Sequence, residues 1–111
     1  MGISHTCHVS NDSKETVKIV VTDFENRNST AVLAPKHVRK FPMRKWALGT
    51  RGSTTVFVYR RTDYGSWTEK EEACCTGVTY TNYIIDHGPD NTLGIWHAKY
   101  GTLHDKSGQL Q

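Results

Sequence analysis

The sequence predicts an all-β fold: a small, single-domain antiparallel β-sandwich of seven or eight short strands, with at most one short helix. Three observations carry this. Helical periodicity is nearly absent, while apolar and polar residues alternate through runs rich in Val, Ile, Thr and Tyr. Gly, Pro, Asn and Asp punctuate those runs at short spacing. No strand–helix–strand alternation of the kind that builds nucleotide folds is present, and 111 residues fit one domain spanning 1–111.

Thr16 to Thr22 is the clearest strand, with Val17, Ile19 and Val21 on one face and Lys18, Val20 and Thr22 on the other. Asn11-Asp12-Ser13-Lys14 before it is turn chemistry, because short polar side chains bond their own backbone there. His5 to Ser10 then reads as a first strand, paired with the second as a hairpin. Asp23 to Ser29 is a polar loop. Thr30 to Ala34 is a short strand closed by Pro35, which has no amide hydrogen for a ladder. Val38 to Phe41 is another, stopped by Pro42. Met43 to Arg51 fits either a strand or a helical turn.

Ser53 to Arg61 is the second clear strand, with Val56 and Val58 on one face and Phe57 and Tyr59 on the other. Apolar residues on both faces mark a central strand or a partly covered wall. Asp63-Tyr64-Gly65-Ser66 is a hairpin turn. Glu69 to Ala73 fits one or two helical turns capped by Thr68; an extended stretch from Trp67 to Cys75 fits equally. Val78 to Asp86 is a strand with a bulge near Tyr80–Tyr83. Gly88-Pro89-Asp90-Asn91 is a strong turn, Thr92 to Tyr100 the last strand, and the tail from about 104 to 111 frays. The expected core is Val17, Ile19, Val21, Val32, Leu33, Val56, Val58, Val78, Tyr80, Ile84, Ile95 and Trp96.

Apolar residues make up 36% of the chain, so the core is thin. The longest aliphatic run, Ile19-Val20-Val21, is far short of the roughly 20 residues that span a bilayer. The Met1-Gly2-Ile3-Ser4-His5-Thr6-Cys7 start has neither the basic nor the apolar region of a signal peptide. A cytoplasmic protein is therefore expected, or a secreted one if the chain is a mature fragment. Cys7, Cys74 and Cys75 are odd in number with two adjacent, which is no disulfide framework; free thiols are expected, with a single link from Cys7 to Cys74 or Cys75 as the alternative.

The net charge of +3 conceals a sharper layout. No acidic residue lies between Asn26 and Thr62, a span holding Arg27, Lys36, Arg39, Lys40, Arg44, Lys45, Arg51, Arg60 and Arg61; the rest of the chain sums to −6. A basic region interleaved with Phe41, Trp46, Phe57 and Tyr59 suits an anionic partner. The candidates are an acidic protein, a lipid headgroup at a membrane surface, or nucleic acid. The expected contact residues are Lys36, Arg39, Lys40, Arg44, Lys45, Trp46 as aromatic anchor, Arg51, Arg60 and Arg61. Tyr64 and Trp67, flanking a turn, form a second aromatic contact point. Exposed strand positions and guarded edges would produce the same charges without a partner.

Other chemistry is sparse. The N-terminus fits the loose N-myristoylation pattern at Gly2, with Cys7 as a second acyl site. His5-x-Cys7-His8 holds good zinc ligands, but a structural site needs four, and His37, His87, His97, His104 and Cys74-Cys75 lack ligand spacing. Asp86, His87 and His97 with Ser66 or Cys75 sketch a triad without any nucleophile-elbow signature. Asn11-Asp12-Ser13 and Asn28-Ser29-Thr30 fit glycosylation acceptors, which matter only in a secreted protein.

The run Asn11-x-Ser13 to Val17-x-Ile19-x-Val21, then Leu33 to Pro35 and Phe41, resembles the opening of small β-sandwich lipid-binding and cytolytic proteins such as aegerolysins and actinoporins. It covers about a third of the chain on generic strand and turn positions, identifies no family and transfers no residue role.

The sequence therefore reads as a non-enzymatic binding module with no cofactor. The alternatives are a small metal-binding or hydrolytic protein using its His and Cys residues, and a structural subunit that oligomerises through an edge strand.

Overall fold

Alternation sets the layers. In the computed structural model, which describes residues 2–23, 27–46, 54–77 and 82–97, eight strands form. They are β1 (Gly2–Asn11), β2 (Val17–Thr22), β3 (Asn28–Leu33), β4 (Val38–Trp46), β5 (Thr54–Arg60), β6 (Ala73–Gly77), β7 (Asn82–His87) and β8 (Leu93–His97). They build two four-stranded sheets: sheet I in the order β4-β1-β7-β8 and sheet II in the order β3-β2-β5-β6. Val17, Ile19 and Val21 of β2 and Val56 and Val58 of β5 are fully buried, and the residues between them are half-buried. Each such aliphatic side chain contributes roughly 1.5–3 kcal/mol on leaving water.

The expected sandwich is therefore present, and five of its six strand pairs run antiparallel; β1 and β7 pair in parallel. The expected hairpin of the first two strands does not form. β1 pairs with β4 and β7, while β2 lies in the other sheet. The Asn11–Lys14 turn is a corner between layers, because Asn11 is drawn fully inside and its side chain bonds the backbone of β3.

Two further expectations are corrected. β4 runs through Pro42 rather than stopping at it, since it is an outer strand and a missing N–H is tolerated on an open edge. Between Thr68 and Glu72 the chain forms no helix. The Thr68 amide donates to the Arg60 carbonyl and the Glu72 amide to the Val58 carbonyl, so Glu69-Lys70-Glu71 loops out beside β5. The charged run gains nothing from a helix that has no apolar face to bury.

The core gathers Cys7, Val9, Phe41, Tyr83, Ile85, Leu93 and Ile95 from sheet I with Val17, Ile19, Val21, Ala31, Leu33, Val56 and Val58 from sheet II. Val32 is 55% exposed, because Ala31 and Leu33 take the inward positions of β3. Trp96 is half-buried, and its ring folds over Gly94. Ile84 is buried on the outer side of sheet I, opposite Trp96 and outside the inter-sheet core. Val78, Tyr80 and the tail lie outside the described residues. The Tyr83 hydroxyl crosses between layers to donate to the Thr54 carbonyl at 3.2 Å.

Candidate functional site

Four turns meet at one end of the sandwich. The registers place Asn11, Val17, Leu33, Val38, Arg60, His87 and Leu93 at this end. Asn11 organises it. Its side-chain amide donates to the carbonyls of Leu33 and Glu15, both at 2.9 Å, and its Oδ1 accepts from the Ser13 amide at 3.0 Å and hydroxyl at 2.6 Å. Its backbone exchanges bonds with Lys36 and His37. A glycan has no access to a side chain so engaged.

Pro35 and Lys36 form the centre of a turn closed by the His37 amide on the Ala34 carbonyl, with Lys36 at φ 67°. A side chain rarely occupies that left-handed region, so Lys36 is held there by its neighbours. Asp90 and Asn91, at φ 57° and 59°, make the mirror-image turn that two-residue hairpins favour. The Lys14 amide donates to His87 Nε2 at 3.0 Å, tying the β1–β2 corner to β7.

Arg60 closes this end. Its Nε and Nη2 donate to the two carboxylate oxygens of Glu15 at 2.8 and 2.7 Å, and Nη2 also donates to the Asn91 carbonyl at 2.9 Å. The Arg60 hydrogen bond holds the Glu15 carboxyl below its ordinary value, against the opposing effect of burial.

The sequence-predicted basic residues thus divide. Lys36, Arg39 and Lys40 are exposed along the β3–β4 corner and the start of the β4 edge. Arg44, Lys45 and Trp46 occupy the far end of β4, where Trp46 pairs with Gly2. Arg51 lies outside the described residues. Arg60 is committed to Glu15 and Asn91. Arg61 pairs with Trp67, its guanidinium 4.8 Å over the indole. Tyr64, at the tip of that hairpin, is 96% exposed. Among the described residues these basic positions are spread over the β3–β4 corner, the β4 strand and sheet II.

Side chains do converge on the outer face of sheet II. Lys18 lies between Val32 on β3 and Tyr59 on β5, and its ammonium sits 4.6 Å over the Tyr59 ring. The next row holds Thr30, Val20, Phe57 and Cys74, and the last Asn28, Thr22, Thr55 and Thr76. Thr22 donates to Asn28 at 2.7 Å, and the Thr55 and Thr76 hydroxyls bond at 2.9 Å. The face grades from hydroxyls through aliphatic and aromatic carbon to two cations on rings, and exposed Glu69, Glu71 and Glu72 border it beside β5.

Sequence reading missed Lys18 because nothing in the chain says that β2 pairs with β5. The alternation did put Lys18, Phe57 and Tyr59 on the second faces of their strands.

His87 lies at the Asn11 end, His97 opposite Tyr83 four residues down β7, and Ser66 in the β5–β6 hairpin. Cys7 and His8 take opposite faces of β1, and among the described residues no three His, Cys, Asp or Glu side chains are grouped to hold a metal. All three cysteines are free. Burial pushes the Cys7 thiol up to about 12 and the Cys75 thiol up to about 11, while Cys74 is exposed. Among the described residues no helix is long and apolar enough to cross a membrane. Comparison with protein-family models, curated proteins and solved structures finds no match to the chain.

Proposed function

We propose that this domain is a non-catalytic binding module that engages an acidic protein partner through the outer face of sheet II. The observation that carries the reading is the pair of cations held on rings, Lys18 on Tyr59 and Arg61 on Trp67, with Val20, Val32 and Phe57 on the same face. Cations already ordered on rings lose less side-chain freedom on meeting a carboxylate. Aromatic residues and Arg are also the types enriched in protein interfaces.

Two features favour protein over the other anionic partners. The exposed faces of Tyr59 and Trp67 are taken by their own cations, which leaves less ring surface for stacking bases. Glu69, Glu71 and Glu72 border the face, and they repel a uniformly negative strand or membrane while leaving room for a partner of mixed charge.

Titration followed by amide NMR tests this with three probes: a glutamate-rich glutamate–lysine–tyrosine copolypeptide, oligothymidylate and phosphatidylserine vesicles. The expected result is shifts at Lys18, Phe57, Tyr59 and Arg61 with the copolypeptide, weakened by salt and abolished in Lys18→Glu/Arg61→Glu. Tighter binding of oligonucleotide or vesicle would replace this reading, and no binding of any probe at low salt would remove it.

A further inference from the structure

We propose that His87 is a pH-sensitive latch, holding the β1–β2 corner to β7 while its ring is neutral and releasing it when the ring is protonated. The corner, residues 12–16, has two ties to β7. The Asp12 amide donates to the Ile85 carbonyl at 2.7 Å, and the Lys14 amide donates to His87 Nε2 at 3.0 Å. The first joins backbone to backbone and contains no titratable atom. The second uses a ring lone pair.

That lone pair fixes the state of the imidazole. A ring nitrogen that accepts a hydrogen bond carries no proton, so the proton of the neutral ring sits on Nδ1. Nδ1 is buried and has no hydrogen-bond partner among the described residues. Protonation places a second N–H on Nε2, directly against the Lys14 N–H. The charged ring is donor-only, and in this arrangement neither of its N–H groups meets an acceptor. The ring and the Lys14 amide therefore part.

The surroundings give the cation somewhere to go. The Glu15 carboxyl, one residue past Lys14, feels the charge of His87. On the ring's own strand, Asp86 accepts the His87 amide at 2.7 Å. Asp12 of the corner and Asp90 of the turn after β7 add negative charge, while Lys14 and Arg60 oppose it. Arg60 is itself held by Glu15. A charged ring thus leaves an amide for a carboxylate, and the corner keeps only its Asp12 tie. Protonated histidines switch packed elements in this way elsewhere. The latch does not use the Lys18–Tyr59 row and is independent of any partner bound there.

Amide and imidazole NMR of the wild-type protein between about pH 8 and 5, where histidine changes charge, tests it. The Lys14 amide shift and the His87 ring signals are expected to move with one midpoint. Exchange protection of the Lys14 amide, corrected for the intrinsic rate, should fall about tenfold below that midpoint, as loss of one hydrogen bond gives. The Asp12 amide should stay protected. Glu15 titrates below its ordinary value of 4.5 and so outside this range. His87→Gln keeps a side-chain acceptor without a charge change, so its Lys14 amide should hold one shift throughout. His37→Gln, at an exposed ring of the β3–β4 turn, should leave the Lys14 transition in place. A Lys14 amide that does not move while the His87 ring takes up its proton overturns the latch. So does the same Lys14 transition in folded His87→Gln, or a His87 ring that stays neutral to the acid end of the range.

Discussion

Arg60 holds Glu15 through two parallel hydrogen bonds, and the same guanidinium reaches the Asn91 carbonyl. Glu15 precedes β2 in sheet II and Asn91 precedes β8 in sheet I, so one side chain fastens both layers at the end where four turns meet. The side chains are 25% and 30% exposed, so solvent screens the pair.

A double-mutant cycle of Arg60→Ala and Glu15→Gln is expected to give a coupling of about 1 kcal/mol by urea unfolding. Arg60→Ala alone should cost more than Glu15→Gln, because it also frees the Asn91 carbonyl. The pH dependence follows from the lowered Glu15 value. The folded state binds its proton less readily than the unfolded chain, so the pair's contribution is complete above the ordinary value of 4.5 and disappears as pH falls through the depressed one. Urea midpoints measured from neutral to acid pH should therefore fall less steeply in Glu15→Gln than in wild type.

Asn11→Ala is expected to destabilise the domain by about 3 kcal/mol, since it removes the bonds donated to the Leu33 and Glu15 carbonyls and the acceptor of the buried Ser13 amide. Asn11→Asp should be nearly as harmful. A carboxylate can accept from Ser13 but cannot donate to Leu33 and Glu15. Thermal unfolding of the two variants checks both, and a mild effect from Asp would show that the two donated bonds contribute little.

Lys36→Gly is expected to stabilise the domain by about 0.5–1 kcal/mol, the relief of a left-handed conformation less the extra freedom glycine has when unfolded. Lys36→Ala should give no such gain, because it keeps the Cβ at φ 67°. Urea midpoints distinguish the two.

Thiol titration of the native protein should find one fast cysteine, Cys74, and two slow ones. Burial keeps Cys7 and Cys75 protonated well above neutral pH, and the thiolate is the reactive form. All three should react at similar rates in urea. Cys74→Ser should remove the fast phase alone.

The strands were legible because β2 and β5 alternate cleanly, and Val17, Ile19, Val21, Val56 and Val58 declare their inner faces. The turn at Asn11–Lys14 was legible too, since its side-chain bond is local. Pairing was not. A polar turn between two strands is written alike whether the chain doubles back in one sheet or crosses to the other. Only the buried Asn11, bonded to Leu33 twenty-two residues away, decides between them. Spatial grouping was hidden for the same reason: Lys18 and Tyr59 meet from 41 positions apart.

The parallel pairing of β1 with β7 bears on how the chain folds. His8 meets Asn82, a partner 74 positions later, whereas β2 with β3 and β5 with β6 are closed by short connections. During synthesis sheet II can assemble once β6 has emerged, its longest pairing being the 43 positions from Val17 to Arg60, while the first strand, joined at most to β4, waits for a partner not yet made. Closing so long a loop carries an entropic cost that local pairing escapes, and non-local pairings of this kind slow folding. The final zipping of β1 onto β7 is thus a natural rate-limiting step, and a nascent chain released before Asn82 leaves the first strand open on one side.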